Sequence, residues 1–447
     1  MNTRPDASAA LVSDCDVLVI GGGPAGSTAA ALLAERGHRV TLLEKAHHPR
    51  FHIGESLLPA NLPLLETLGV ADEVRAIGME KWGAEFISPW HDHKQLFEFG
   101  DAIDKSMPMS YQVRRSEFDE ILIRNARRKK ARVEEGCRVM EVEFLAKAGG
   151  ARVLAHHDDG RRETIQTRFV LDASGRDTFL ASCLKIKRRS KKHNSAAMYA
   201  HFSGIPRNQG KAAGNISIYW FEHGWFWSIP LADGATSVGA VTWPYYLRTR
   251  NKKPLDQFFQ ETIALCAPLS ELMAHAHLIT PVEATGNYSY ACDRTHGHNY
   301  LLLGDAYTFI DPVFSTGVMM AMHSGFVGAD TVDTCLHRPR QKAAALKKFD
   351  QSMRQGPKHF SWFIYRITNP TLRDMFMGPR PVFHIKAALL SVLAGDVYGD
   401  TPFQGPLRIF KGIYYMVSVL NIRRTFKAWQ TRKYNLNHPG TSSDSPV

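Results

Sequence analysis

Several short segments of the chain contain residues whose types and spacing suit the binding of a dinucleotide. The segment GGGPAG (21–26) fits the pattern G-x-G-x-x-G through Gly21, Gly23 and Gly26. In this pattern the first glycine makes a tight turn, the second lets the backbone approach a pyrophosphate, and the third lets a helix pack on a strand. Glu44 follows about 20 residues later, where a carboxylate can accept hydrogen bonds from a ribose. The alternative interpretation is a glycine-rich turn that binds no ligand.

The elements predicted around GGGPAG are those that such a site requires. DVLVI (16–20) is typical of a buried strand, residues 24–36 have the composition of a helix, and RVTLLE (39–44) predicts a second strand. The helix would begin beside the phosphates and present unpaired N–H groups and the positive end of its dipole to them. The residues expected at this end of the cofactor are Gly21, Gly23, Pro24, Ala25, Gly26, Glu44 and Lys45.

Two later segments each place a carboxylate just beyond an apolar strand, where ligands lie in doubly wound sheets. They are LDASGR (171–176) and LLGDAYTFIDP (302–312). Both resemble the later FAD-binding motifs of the flavoprotein monooxygenase superfamily, and GESLLP (54–59) resembles its segment near the flavin. The resemblance implies FAD rather than NAD, and a single dinucleotide site. The residues that it places beside the cofactor are Ser56, Arg115, Asp172, Gly304 and Asp305.

Three further segments resemble the flavin-dependent halogenases. WFWSIP (225–230) has the form W-x-W-x-I-P, FIDPVFSTG (309–317) has the form F-x-x-P-x-x-S-x-G, and KWGAEF (81–86) resembles the segment that carries the catalytic lysine of that family. The resemblance runs from Val17 to about Gly395. It implies that Lys81 is catalytic, that Ser315, Thr316 and Gly317 hold halide, that Pro312 and Gly317 lie near the flavin, and that Trp225, Trp227 and Phe314 separate the substrate from it.

The activity implied is that of a two-component halogenase. FADH2 from a separate flavin reductase, with oxygen and chloride or bromide, would give hypohalous acid, which would halogenate an aromatic ring. Lys81 could donate a hydrogen bond to hypohalous acid as an ammonium, or form a chloramine as a neutral amine. Trp225 and Trp227 would share one face of a strand, so they could equally belong to a core. Ser315 could likewise be an ordinary helix N-cap.

Phe314 bears on the choice of substrate. Halogenases of free tryptophan carry glutamate just before the serine of the last motif, and a carboxylate there could take up the ring proton. Phenylalanine favours rings that lose a proton more readily, of pyrrolyl, phenolic or aryl-polyene type, either free or tethered to an acyl or peptidyl carrier protein. The competing hypotheses are a monooxygenase (hydroxylase) or reductase of the same fold, and a protein that keeps FAD as a structural ligand.

Composition restricts the remaining possibilities. The 447 residues include 55 Lys and Arg against 43 Asp and Glu, and the net charge of +12 favours an acidic partner. The basic segments RNARRKKAR (124–132) and KIKRRSKK (185–192) are either solvated surfaces or a dock for an acidic carrier protein, and they lack the features of a nucleic-acid site. Six scattered cysteines predict a reduced, cytoplasmic protein without a metal site. No apolar segment approaches the roughly 18 residues of a membrane span.

These observations predict a fold of class α/β (α+β). An FAD-binding, doubly wound Rossmann-type domain would be interleaved with an antiparallel substrate-side sheet and followed by a helical C-terminal region. We expect the core over residues 1–345, with the substrate sheet at about 81–110 and 185–285. The helical region would cover 346–435 and a disordered tail 436–447.

Overall fold

A computed structural model describes residues 11–145, 149–190, 193–379 and 384–437. Its strands are β1 (Leu11–Ile20), β2 (Val40–Glu44), β3 (Met79–Lys81), β4 (Gly83–Ile87), β5 (Lys94–Glu98), β6 (Ser110–Gln112), β7 (Arg132–Glu135), β8 (Cys137–Phe144), β9 (Ala151–His157), β10 (Arg162–Asp172), β11 (Lys187–Arg189), β12 (Ser195–Ser203), β13 (Ile216–Phe221), β14 (Gly224–Pro230), β15 (Thr236–Thr242), β16 (His277–Leu278), β17 (Glu283–Tyr288), β18 (Tyr290–Cys292), β19 (Tyr300–Leu302) and β20 (Thr308–Phe309). Its α-helices are α1 (Pro24–Glu35), α2 (Leu62–Leu68), α3 (Ala71–Ile77), α4 (Arg115–Arg128), α5 (Phe179–Cys183), α6 (Pro244–Arg248), α7 (Leu255–Ala264), α8 (Ala267–Leu272), α9 (Thr316–His337), α10 (Lys342–Ile364), α11 (Pro370–Met377), α12 (Ile385–Leu393), α13 (Gln404–Leu420) and α14 (Ile422–Asn437).

The first large sheet is the dinucleotide-binding sheet that the sequence predicts. Strands β7, β2, β1, β10 and β19 lie side by side and are parallel, while β9 and β8 extend the sheet from β10 as antiparallel strands. Helices α1, α4 and α9 pack with one another and cover buried side chains of this sheet. The α/β class with a Rossmann-type sheet is therefore confirmed.

The second large sheet separates two hydrophobic clusters. Its strand order is β16-β12-β15-β14-β13-β4-β5, with β17 also paired to β12, and it is antiparallel except for the parallel pair β4–β13. Along β14, Trp225 and Trp227 join the cluster that contains the C-terminal helices, whereas Phe226 joins the cluster that contains α7 and α8. The two tryptophans thus share one face of the sheet, as their spacing predicts.

The helices α10–α14 form the region that follows the two sheets. The expected boundary at residues 345 and 346 falls inside α10, and α14 ends at Asn437, so most of the expected tail (438–447) lies outside the described residues. In the described part of the chain, no helix combines the length and the apolar character needed to cross a bilayer. All six cysteines are described and none is in a disulfide.

Candidate active site

A cavity of about 690 Å³ lies at the carboxyl ends of β1 and β10, between the two large sheets. Such an edge is where doubly wound sheets bind their ligands. Eleven of the residues expected to bind FAD contribute to its wall: Gly21, Gly23, Pro24, Ala25, Glu44, Lys45, Ser56, Arg115, Asp305, Pro312 and Gly317.

The three glycines that fit the G-x-G-x-x-G pattern stand at positions with different structural requirements. Gly21 has a φ of +101°, and a Cβ there would lie 2.4 Å from the carbonyl oxygen of Ala173. A Cβ on Gly26 would lie 1.9 Å from the carbonyl oxygen of Gly21, so close packing of helix on strand requires this glycine. Gly23 has an ordinary φ of −74°, and its nearest foreign atom would be an Arg50 nitrogen at 3.7 Å. Neither the backbone conformation nor the packing of the protein requires glycine at position 23. The space beside it is open, and a pyrophosphate could approach the backbone there.

Glu44 is buried at the end of β2. Its carboxylate accepts hydrogen bonds from the backbone N–H groups of Gly22 (2.6 Å) and Ala46 (2.9 Å). Each carboxylate oxygen has a second lone pair, so acceptance from a ribose hydroxyl remains compatible with these bonds. Lys45 forms an ion pair with Asp177, another residue of the cavity wall.

Arg115 holds the GES segment (54–56), which lines the large cavity. Its guanidinium donates two hydrogen bonds to Asp119 (2.8 and 2.9 Å) and one to the carbonyl oxygen of Ile53 (3.0 Å). Burial alone would raise the pKa of Asp119, but the positive charges of Arg115 and Arg50 outweigh it and lower that pKa. The ion pair therefore stays charged, and it fixes the GES segment from below.

Asp305 lies at the opposite side of the same cavity. Burial raises the pKa of its carboxyl to about 6. A ribityl hydroxyl could hydrogen-bond to this group in either protonation state.

Four residues expected at the cofactor or halide site lie behind the cavity wall. Asp172 accepts hydrogen bonds from the backbone N–H groups of Ser174 (2.9 Å) and Leu180 (2.7 Å), so it fixes a turn and the start of α5. Gly304 has a φ of +51°, and a Cβ there would lie 3.2 Å from Ala321, so it permits the close approach of α9. The remaining two are Gly26 and Thr316, which is buried as the first residue of α9.

Lys81 is a fully buried lysine on β3. The two-stranded ladder of β3 and β6 places Lys81 opposite Ser110, and Ser56 pairs with Gln112 of the same strand. This register brings the Lys81 Nζ within 2.9 Å of both the Ser56 hydroxyl and the Leu57 carbonyl oxygen, to which it donates hydrogen bonds. Burial lowers the pKa of Lys81 to about 7. A lysine that titrates near neutrality can act as an ammonium or as an amine.

Lys81 contributes to a second, smaller cavity of about 20 Å³. This volume holds about one water molecule and is too small for an aromatic ring. Ile216 and Ser315 line both cavities, so they form the partition between them. The other lining residues are Leu58, Ala84, Phe86, Phe99, Ile218, Val313, Phe314 and Leu393.

Phe314 forms part of the roof over the small cavity. Its ring contacts Phe363 of α10 at 6.1 Å and Phe376 of α11 at 6.4 Å between centroids. With Leu393 of α12, these contacts place the C-terminal helices directly above Lys81. The C-terminal helices therefore cover the side of the small cavity that Phe314 and Leu393 line.

Ser315 stands at the start of α9 between the two cavities. It has a φ of +54° and occupies the N-cap position, but its hydroxyl makes no capping hydrogen bond. The interpretation of Ser315 as an ordinary side-chain N-cap is therefore wrong. The unpaired N–H groups of the first helical turn remain a suitable environment for an anion.

Trp225 and Trp227 line the large cavity on the side of the second sheet. Their ring centroids are 6.0 Å apart, and the Trp227 indole N–H donates to the Ser237 hydroxyl at 3.2 Å. A Cβ on Gly239 would lie 2.1 Å from the Trp227 ring, so this glycine makes room for it. Both tryptophans belong to a hydrophobic cluster and to the cavity wall, and their role in keeping substrate from the flavin stays a prediction.

Sequence reasoning missed a buried carboxylate and its partner. Glu55 and His201 are each 1% exposed and are joined by a hydrogen bond of 2.8 Å, and Glu55 lines the large cavity. Glu55 lies next to Ser56 in GESLLP, and this position was the one feature of the sequence that could have indicated Glu55 as a cavity residue. Its partner is 146 residues away on the second sheet, so no local pattern could reveal the pair.

Asp311 is a second missed residue, and it anchors the loop that leads to α9. Its carboxylate accepts hydrogen bonds from the Ser195 hydroxyl (2.8 Å) and the Val313 N–H (3.2 Å), and His193 lies at 2.8 Å. These contacts fix the position of residues 312–315 relative to β12.

Among the described residues, one group has the composition of a metal site. It consists of His38, Asp333 and His337, which hydrogen-bond to one another at 2.8 and 3.0 Å. Asp333 and His337 lie near the end of α9, roughly 27–33 Å along this helix from Ser315. The group is therefore remote from Lys81 and takes no part in this site.

Comparison with known proteins identifies the family. A family model described as an FAD binding domain matches residues 14–327. The flavin-dependent halogenase gsfI of Penicillium aethiopicum is 32% identical over 399 residues, which cover 83% of this chain and 74% of that protein. The chain belongs to the flavin-dependent halogenases.

Two other relatives differ in the substrates that their names give. The tryptophan 2-halogenase of Chondromyces crocatus is 34% identical over 78% of this halogenase, which spans 66% of that protein's length. The 1H-pyrrole-2-carbonyl-[peptidyl-carrier protein] chlorinase of Pseudomonas fluorescens is 29% identical, with coverage of 86% and 90%.

Solved structures of similar fold include a halogenase and a protein described as a flavoprotein/dehydrogenase. The myxobacterial chondrochloren halogenase CndH is 32% identical and superposes with a TM-score of 0.76, covering 87% of this halogenase and 92% of that chain. A flavoprotein/dehydrogenase from Cytophaga hutchinsonii is 28% identical, with a TM-score of 0.83 and coverage of 92% and 100%.

Proposed function

We propose that this protein halogenates an electron-rich aromatic ring with reduced FAD, oxygen and chloride or bromide. The observation that carries the proposal is the buried Lys81, which lines a small cavity that shares Ile216 and Ser315 with the wall of the large cavity. Bound FADH2 would react with O2, and this reaction would supply the oxidant that converts halide to hypohalous acid. A hydroxylase of the same fold would have no use for a separate compartment with a lysine that titrates near neutrality.

The chain's own residues would handle the product of that oxidation. Backbone N–H groups of Ser315, Thr316 and Gly317 at the start of α9 would hold halide beside the flavin. The small cavity has room for a molecule of the size of hypohalous acid but excludes bulk water. Two donors of Lys81 are occupied by Ser56 and Leu57, so its third N–H is free to hydrogen-bond to the acid and polarise the halogen toward the ring.

The turnover test uses the full chain with FAD, a flavin reductase, NADH, oxygen and bromide, and detects products by mass spectrometry. We expect a brominated phenol or pyrrole, and no such product without bromide. A hydroxylated product would support the monooxygenase alternative. Consumption of reduced flavin with neither product, on free and carrier-tethered rings alike, would overturn the proposal.

The rate of halogenation is expected to fall as the pH rises through about 7. Burial lowers the pKa of Lys81 to about 7, so the ammonium, which alone can donate a third hydrogen bond, predominates only below that value. Above it, the rate should fall up to tenfold per pH unit. The measurement is the rate of halogenation divided by the rate of flavin oxidation, from pH 5.5 to 9. A ratio that rises instead would indicate the neutral amine and a chloramine.

Replacing Leu393 with alanine is expected to favour larger rings. Leu393 lies in the roof of the small cavity, so its truncation should raise kcat/KM for a bulky phenol relative to a small one. The free energy of unfolding should fall by about 2–5 kcal/mol. Leu389→Ala is the matched control, because Leu389 is buried in the same helix and cluster but does not line the cavity. Equal selectivity changes in both variants would contradict this role for Leu393.

We also propose that FADH2 comes from a separate reductase and that the ring is pyrrolyl, phenolic or of aryl-polyene type, free or carrier-tethered. The missing carboxylate at Phe314 and the carrier-protein substrate in the name of the Pseudomonas relative support this range. The basic segment 124–132 offers little to an acidic carrier, since five of its six cations pair with acidic residues of the same chain. These pairs are Arg124 and Arg127 with Glu135, Arg128 with Glu73, Lys129 with Glu35, and Arg132 with Glu163.

A further inference from the structure

The last two helices expose a continuous run of large apolar side chains. We call it the C-terminal face. Half of the sixteen large apolar side chains that are exposed in the described residues belong to it, although it spans only residues 415–434. Its members are Tyr415, Met416, Val419 and Leu420 of α13, and Ile422, Phe426, Trp429 and Tyr434 of α14.

The C-terminal face is not needed to hold α13 in place. The opposite side of α13 is already buried, through Leu407, Phe410 and Tyr414, in the cluster that contains the C-terminal helices. Val419, Leu420 and Ile422 are 67%, 76% and 65% exposed, respectively. Exposed apolar area of this kind on a folded protein marks an interaction site.

The charge around this face is mostly positive, although Arg424 of α14 pairs with Asp374 of α11. Between Asp400 and Asp444 the sequence has seven Lys and Arg residues and neither Asp nor Glu. Arg423 and Lys427 are exposed on α14, and Lys433 lies 5.1 Å from the ring of Trp429. Much of the chain's net charge of +12 therefore surrounds its most apolar surface.

We propose that the C-terminal face binds the surface of an anionic lipid bilayer. A helix with Trp, Phe and Tyr on one side, cations beside them and no acidic residue is suited to lie in the interface of a membrane. The apolar side chains would enter the headgroup region, and the Lys and Arg side chains would reach the phosphates. This proposal goes beyond the halogenation reaction and does not depend on it.

Charge also argues against the other occupants. A second copy of the chain would bring an equally basic face against this one, and the two would repel. The segment that follows α14, HPGTSSDSPV (438–447), contains one acidic residue and one large apolar residue, so its sequence cannot match the face. An acidic protein would satisfy the charge, but eight exposed aliphatic and aromatic side chains spread over two helices fit a fluid apolar layer better than a polar protein surface.

The C-terminal face lies on the outside of the roof over Lys81. On the inner side of α13, Phe410 contacts Phe363 (6.0 Å) and Phe376 (6.5 Å), and both of these contact Phe314. A displacement of α13 caused by binding at its outer face would therefore reach the small cavity through Phe410, then Phe363 and Phe376, and then Phe314. Membrane binding would place this roof beside a source of apolar molecules.

The test measures sedimentation of the full chain with vesicles. One set contains phosphatidylcholine with about 30% phosphatidylglycerol, and the other contains phosphatidylcholine alone. We expect binding to the anionic set, and roughly 30-fold weaker binding for Arg423→Gln with Lys427→Gln, from the contribution of each cation near an anionic surface. Val419→Gln, Leu420→Gln and Ile422→Gln together should abolish binding.

Matched controls change the same residue types elsewhere on the surface. Leu265→Gln with Ile279→Gln, and Arg248→Gln with Lys252→Gln, replace exposed residues of other elements and should bind as the wild type does. Absence of binding to anionic vesicles, or equal losses in controls and face variants, would overturn the proposal. So would a dimer that the triple variant dissociates, or an acidic carrier protein that binds this face when vesicles do not.

Discussion

Replacing Lys81 with methionine is expected to lower the rate of halogenation by about 10²–10⁴-fold while reduced FAD is still oxidised. Methionine fills nearly the same volume, so the roof and the partition should remain in place. What is lost is the Nζ, the titratable nitrogen of a side chain that lines the small cavity. Hypohalous acid would then escape into solvent without reacting with the bound ring.

The decisive measurement for Lys81→Met is the ratio of halogenated product to flavin oxidised. A thiol or dye added to the solution should trap the released hypohalous acid, in an amount equal to the product lost. Lys94→Met is the matched control, because Lys94 is an exposed lysine on β5 of the second large sheet and pairs with Glu85. Halogenation by Lys81→Met within threefold of the wild-type rate would show that this lysine is not catalytic.

The stability of Lys81→Met gives an independent readout of the same residue. The folded-state pKa of about 7 lies below that of a free lysine, so the unfolded chain binds more protons between these two values. The wild type should therefore gain stability as the pH rises from 7 towards 10.5, and the methionine variant should lack this contribution. A difference that does not change with pH would mean that Lys81 titrates normally in the folded protein.

The parts of the fold that are encoded locally could be predicted from the sequence. The strand, glycine loop, helix and acidic residue of the first unit lie within about 30 residues, and each has a backbone requirement that a single residue type satisfies. The alternation of Trp225, Phe226 and Trp227 likewise predicted which side chains share a face. In both cases the conformation and the side-chain directions depend on residues that are close in sequence, so a short segment is enough to predict them.

The parts that depend on distant contacts could not be predicted. Asp172 was expected at the cofactor because it ends a strand; its carboxylate also accepts hydrogen bonds from two backbone N–H groups of its own turn, and its place beside FAD stays a prediction. The roof over Lys81 comes from α10, α11 and α12, and no pattern in these helices indicates which cavity they cover. The parallel pairing of β4 with β13 joins segments more than 120 residues apart, and antiparallel neighbours on both sides hide it from a reading of single strands.

Replacing Gly23 with valine is expected to weaken FAD binding by at least 100-fold while the protein still folds. The backbone at Gly23 is extended, with φ of −74° and ψ of −173°, which suits a β-branched residue. A Cβ there would meet only an Arg50 nitrogen at 3.7 Å, so the added methyl groups would occupy the space that we assign to the pyrophosphate. Loss of a favourable N-cap residue should cost about 1 kcal/mol of stability at most.

Thermal unfolding with and without FAD separates these two effects. The wild type should gain stability with FAD in proportion to the logarithm of its concentration, whereas Gly23→Val should unfold at one temperature whether or not FAD is present. Gly26→Ala provides the contrast, because its Cβ would lie 1.9 Å from the Gly21 carbonyl oxygen and should disrupt the fold itself. If Gly23→Val binds FAD as the wild type does, the pyrophosphate does not lie against this glycine, and the large cavity holds the cofactor in another orientation.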